Sequence, residues 1–203
     1  MKTINSASLV CSDLLDLRSS LRAINNTSYI DSIHIDIMDG LYVDRIGIMP
    51  EVFSQINEFT NKSTDVHFMV DDPVKFMALC QGADMFWVHS DKLDENTYKI
   101  AKSYAKKCGV VFSPGDDMEA WLSDGLYDSI ILMAMRPGDL SSDMDSRIYD
   151  MIKIARKNCS GVVAVDGKVS RNTYVDFMVN GANFFVLGTS SIYQDGRMLK
   201  TFK

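Results

Sequence analysis

Long apolar runs are missing from these 203 residues. Nowhere do about 18 apolar residues follow one another, and the opening MKTINSASLVCSDL lacks the apolar stretch of a signal peptide. Neither a spanning helix nor a secretory leader is expected, so the reading places the protein in the cytoplasm, without a membrane partner. Paired cysteines are missing too: Cys11, Cys80, Cys108 and Cys159 are widely scattered with no C-x-x-C spacing. That argues against a zinc ribbon or a dense disulfide framework and leaves four free thiols. No dense Lys/Arg run occurs, and 27 acidic against 21 basic side chains give a formal charge of −6, so nucleic acid is not an expected partner. With no Pro/Gly/Ser-rich linker or low-complexity tract either, residues 1–203 read as one domain.

What is present is rhythm. Eight short apolar segments recur at fairly even spacing: SASLVC, SIHIDIMD, TDVHFMV, MFWVHS, VVFSP, SIILMAM, GVVAVDG and NFFVLGTS. Between them lie amphipathic stretches at Asp13 to Ile24, Pro50 to Phe59, Pro73 to Cys80, Glu95 to Lys107, Met118 to Ser123, Ser141 to Lys157 and Arg171 to Val179. Strands alternating with helices imply parallel pairing through crossovers, and eight such units predict a closed (β/α)₈ barrel. A doubly wound open sheet is the rival, but no strand here is followed by G-x-G-x-x-G. After Thr189 only fourteen residues remain, so a short eighth helix is expected.

In such barrels the reacting groups stand at the C-terminal ends of the strands. There the second strand offers His34 and Asp36, the third His67, the fourth His89 and the seventh Asp166. His34 and Asp36 are two apart in an otherwise apolar strand, so they share a face. Two imidazoles and two carboxylates meeting at one barrel mouth would make an N₂O₂ set for a divalent metal such as zinc, manganese, iron or cobalt. Each histidine alone also fits a core residue bonded to a backbone carbonyl.

The segments ASLVCSDLLDL, HIDIMDG, DVHFMVDDP, VAVDG and VLGTSSIY, in this order, resemble the ribulose-phosphate 3-epimerase family, which includes allulose-6-phosphate 3-epimerase. The resemblance implies a ribulose-phosphate-binding type of (β/α)₈ barrel, in which His34, Asp36, His67 and Asp166 hold one divalent metal. It also implies a phosphorylated ketose as substrate, a homo-oligomer, and inversion at C3 through an enediolate that the metal stabilises. Asp36 and Asp166 would be the catalytic acid and base, one on each face of the carbon. Met38, Met69 and Met133 would pack around the reacting carbons, and ordinary core filling is the alternative in a chain with 13 methionines. Gly167, Gly188 and Thr189 match positions whose backbone N–H groups grip the phosphate. Lys168 and Gly138 would join them on the substrate side, as would His67. Ser8 matches a serine that touches the sugar, although a hydroxyl capping the backbone would look the same.

Three stretches depart from that pattern. The family's MDGHFVPN is MDGLYVDRIG here, its glycine-rich NPGFGGQ flap is RPGDLSSDMD, and its DGG is Asp166-Gly167-Lys168. The metal positions and both acids survive, while the walls and lid are rewritten. Arg45, Arg136 and Lys168 become candidate cationic donors to a phosphate or to extra hydroxyls. Ribulose 5-phosphate is the family default, and allulose 6-phosphate or sedoheptulose 7-phosphate are the longer alternatives. Two other readings are a lyase of the same broad superfamily, which the four metal positions disfavour, and a barrel that binds sugar phosphate without catalysis.

Overall fold

Strand side chains alternate between two faces, and in this chain the two faces have different chemistry. The computed structural model describes residues 2–199 and Phe202. Its strands are β1 (Ile4–Ser8), β2 (Ser32–Met38), β3 (Ser63–Met69), β4 (Met85–His89), β5 (Lys107–Phe112), β6 (Ser129–Met133), β7 (Val163–Asp166) and β8 (Phe184–Leu187). Neighbours in sequence pair in parallel, and β8 closes on β1. The expected barrel is therefore present. On β2, Ile33, Ile35 and Ile37 join the core between strands and helices, while Ser32, His34, Asp36 and Met38 belong to the opposite, inward face. Lower down, Met85, Trp87, Val111, Ile131 and Phe184 fill the barrel with a separate apolar cluster. The polar inward positions thus stand above an apolar floor.

The outer ring comprises α1 (Leu17–Asn25), α2 (Phe53–Phe59), α3 (Val74–Met77), α4 (Glu95–Tyr104), α5 (Met118–Asp124), α6 (Ile148–Asn158) and α7 (Arg171–Asn180). Their starts are chemically marked: Asp94 accepts from the Thr97 N–H, and Ser170 and Thr173 form a capping box. Short 3-10 turns at Leu14–Asp16, Pro50–Val52 and Ala78–Cys80 complete the expected stretches at α1, α2 and α3, and two further boundaries move. Helix α6 begins at Ile148 rather than Ser141, because Asp139 accepts from Ser141 and the Asp145 N–H donates to the Ala134 carbonyl, holding 139–145 in turns. Helix α4 stops at Tyr104, and Lys107 already belongs to β5.

The expected short eighth helix is absent among the described residues. Instead the Gly188 carbonyl accepts from the Ser191, Ile192 and Tyr193 N–H groups in a single turn. An antiparallel hairpin of β9 (Tyr193–Gln194) and β10 (Arg197–Met198) follows. Asp195 and Gly196, with φ of 50° and 74°, are the Asp-Gly pair that a tight hairpin turn demands.

Gly109 on β5 pairs in register with Trp87 on β4, and a Cβ there would lie 2.3 Å from the indole. Trp87 is fully buried and has nowhere to go. Gly109→Ala is expected to destabilise the fold by about 1–3 kcal/mol through overpacking, measured by urea unfolding.

Candidate active site

The alternation that points β2 inward also points β3 inward, and adjacent register does the rest. Asp36 pairs with His67 and His34 with Asp65 across β2 and β3, while β7 ends in Asp166 beside Met133 of β6. His34 Nε2 lies 3.2 Å from Asp36 Oδ1 and 3.7 Å from Asp166 Oδ2, and His67 Nδ1 lies 3.4 Å from each of the same two oxygens. One ligand atom from each of the four residues falls within 4.8 Å of every other. Neither imidazole nitrogen has a hydrogen-bond partner, although both are buried. A buried polar atom left unpaired is costly, and two aimed at the same pair of carboxylate oxygens is the pattern a cation satisfies. Donors about 2.1 Å from one tetrahedral ion stand about 3.4 Å apart, close to the four separations found here. The donor set fits a divalent metal, and the group can hold one.

The two histidines are aimed by different devices. His34 Nδ1 bonds Asp65 Oδ1, which also accepts from Trp87 Nε1 at 3.0 Å, and Asp65 Oδ2 accepts from the Ser6 and Ser32 hydroxyls, each at 2.6 Å. A carboxylate so anchored holds the proton on Nδ1 and leaves the Nε2 lone pair for the cluster. His67 Nε2 lies 3.0 Å from His89 Nε2. Burial, reinforced by the charge of His67, pushes His89 well below the usual imidazole range, so it is a neutral acceptor. His67 Nε2 then carries the proton, and the Nδ1 lone pair is left for the cluster. Both rings are held by side chains, Asp65 and His89, rather than by a backbone carbonyl. Asp65→Asn is expected to weaken metal binding about 10- to 100-fold and to lower stability by about 1–3 kcal/mol, read by metal titration calorimetry and urea unfolding.

Burial opposes ionisation of Asp36, yet in metal-free protein the charges of His34 and His67 outweigh it and hold the carboxyl far below the ordinary carboxylate range. Its Oδ1 faces the two imidazoles, and its Oδ2 accepts from the Ser8 hydroxyl at 3.2 Å. Ser8 therefore orients an acid, beyond the sugar contact that its position suggests. Asp36 and Asp166 both line one cavity, together with Met38, Met69 and Met133. Gly138, Gly167, Lys168, Gly188 and Thr189 line it too, from the loops after β6, β7 and β8. Gly167, at φ 89°, presses on Met135, where a Cβ would lie 2.5 Å from Cγ. Arg45 reaches the cavity; Arg136 is exposed and outside its lining, so it is withdrawn as a cationic donor.

Asp65, His89 and Cys11 are the residues that inspection of strand ends underrated. Asp65 sits two before His67 and so shares its face, a signal available in the sequence. Cys11 lines the cavity, and its sulfur would be 3.2 Å from a Cβ on Gly188; it is one of four free cysteines, and burial raises its thiol. Among the described residues no helix is long and apolar enough to cross a membrane.

Solved structures share the architecture. The tryptophan synthase complex from Pyrococcus furiosus superposes with a TM-score of 0.66 over 93% of this chain and 87% of that one, at 17% identity, which speaks for the fold alone. Sequence relatives are more specific. Ribulose-phosphate 3-epimerase of Chlamydia trachomatis serovar D is 31% identical over 95% of this chain and 88% of its own. That of Aquifex aeolicus is 28% identical over 78% and 76%. The model of the ribulose-phosphate 3 epimerase family matches residues 4–193, from the first barrel strand to the turn beyond the last. With barrel, donor cluster and sequence in agreement, this chain belongs to the ribulose-phosphate 3 epimerase family.

Proposed function

We propose that the protein is a metal-dependent 3-epimerase of a phosphorylated ketose, interconverting ribulose 5-phosphate and xylulose 5-phosphate as the default pair. One observation carries the reading: two buried, unpartnered imidazole nitrogens converge on one oxygen of Asp36 and one of Asp166. Each carboxylate retains a second oxygen, and both line the cavity. A divalent ion held by His34, Asp36, His67 and Asp166 (zinc, manganese, iron or cobalt) supplies Lewis-acid stabilisation of the charge that grows on the substrate oxygens.

The chain's own residues do the rest. Asp36 and Asp166, from β2 and β7, act from opposite faces of C3: one removes its proton and the other returns a proton to the far side. Reversal exchanges their roles. Ser8, by donating to Asp36 Oδ2, fixes the carboxylate plane and keeps that oxygen ionised until it takes the proton. Met38, Met69 and Met133 exclude water from the carbanionic carbon. At the other end, backbone N–H groups at Gly138, Gly167, Gly188 and Thr189, together with Lys168, receive the phosphate. The single domain acts in the cytoplasm as a homo-oligomer. Exposed Leu14, Leu15, Leu41, Ile46 and Met49, in the loops after β1 and β2, support self-association.

The rewritten loop and flap favour a second reading on substrate length alone, with allulose 6-phosphate or sedoheptulose 7-phosphate replacing the pentose. A pure binder has no use for two acids on one donor cluster. Comparing kcat/KM of metal-loaded protein for the three ketose phosphates tests both: C3 inversion of at least one is expected, and inversion of none contradicts the proposal.

A further inference from the structure

Arg45 is half-buried and lines the cavity, yet among the described residues its guanidinium has no ion-pair or hydrogen-bond partner. Its position is fixed by a loop folded back on β2. The Arg45 N–H donates to the Val43 carbonyl at 2.7 Å, and the Gly47 and Ile48 N–H groups return to the Met38 and Asp36 carbonyls. The flap rests on that loop: Gly138, at φ 73°, lies so close that a Cβ would be 2.8 Å from the Cβ of Val43. On the flap's other side, Lys168 Nζ donates to the Leu140 carbonyl at 3.1 Å. Lys168 itself has φ 54°, a left-handed backbone that glycine adopts freely and lysine does not. Flap residues 138–140 thus lie between the loop that carries Arg45 and the Lys168 ammonium, each cation introduced where the family pattern has none.

Charge matching says what they are for. The ionisable side chains lining the cavity, thiol apart, are Asp36, Asp166, Arg45 and Lys168. The donor cluster takes up the two carboxylates, which leaves two positive side chains facing the cavity. Two fixed cations complement a phosphomonoester dianion, and a guanidinium presents the paired donors that phosphate accepts.

We propose that Arg45 and Lys168 form a cationic clamp that recognises the substrate's phosphate from either side of the flap, with Lys168 also latching the flap through Leu140. The proposal rests on the reading that the cavity takes a phosphorylated ketose. It assigns to side-chain charge part of the grip that a glycine-rich flap would exert through backbone N–H groups.

Glycerol 3-phosphate, which has the phosphate but no ketone, separates the clamp from the chemistry. Its binding to metal-loaded protein is measured by calorimetry for wild type, Arg45→Met, Arg45→Lys and Lys168→Gly, between about 0.05 and 0.5 M salt. Glycine keeps the left-handed backbone at 168, so that variant folds. Arg45→Met and Lys168→Gly are each expected to weaken binding about tenfold and to flatten its salt dependence, and Arg45→Lys to recover part of the loss. Wild type that does not bind the probe, or variants within about twofold of wild type with the same salt dependence, overturns the clamp. Failure of C3 inversion with binding intact would instead count against the epimerase reading alone.

Discussion

Asp36→Asn and Asp166→Asn each lower kcat for C3 inversion by roughly 10³- to 10⁴-fold, the upper range for losing a positioned acid or base. Asparagine preserves shape and hydrogen-bonding oxygen but cannot take up a proton. In metal-free protein the ionised form of Asp36 is favoured, despite burial, by the charges of His34 and His67. Since each aspartate also belongs to the donor cluster, metal content must be measured beside turnover. A variant that retains metal and loses inversion has lost proton transfer; a variant that retains inversion removes that residue from the acid/base pair.

Stripping the metal has a comparable effect on activity and adds a pH signature. Chelated protein is expected to lose inversion to background and to regain it with a divalent ion. Burial works against a charged His34, but Asp36 and Asp65 outweigh it and raise its pKa well above the usual imidazole range; His67 is raised too, by Asp166 and Asp36 against its own burial. In metal-free protein the incoming ion must therefore displace protons from both rings. Affinity should rise with pH, and calorimetry in buffers of different ionisation enthalpy should record proton release. Stability follows the same linkage. The raised histidines contribute fully below their unfolded value of about 6.5 and lose that contribution as pH rises through their folded values. Asp36, with its lowered pKa, contributes fully above about 3.9 and loses it as pH falls towards its folded value. Metal-free protein should thus melt highest in mildly acidic solution, between about pH 4 and 6.5, and metal should move the maximum upward. Metal-free protein that melts no higher inside that window than well above and well below it would contradict this electrostatic picture.

The barrel was legible because its signal is periodic. Short apolar runs recur at even spacing with helical stretches between them, and eight repeats leave few other topologies. Four donors were legible because polar residues in apolar strands need a reason. What aims them was harder to see: Asp65 and His89 act across strand pairs, and a contact such as His34 to Asp65 depends on the register between β2 and β3. The chain's end escaped the reading for a local reason. Length suggested a helix there, but the Asp195-Gly196 turn decided for a hairpin. Likewise the start of α6 yielded to side-chain bonds of Asp139 and Asp145, which override helical periodicity over residues 141–147.

In the proposed reaction Asp36 and Asp166 exchange the C3 proton of a ketose phosphate from opposite faces. Metal-loaded protein mixed with ribulose 5-phosphate, allulose 6-phosphate or sedoheptulose 7-phosphate in D₂O, followed by NMR, tests it directly. Deuterium should enter at C3 as the epimer forms, and at no other carbon. Epimer formed without deuterium at C3, or no exchange into any of the three ketose phosphates, would contradict the account.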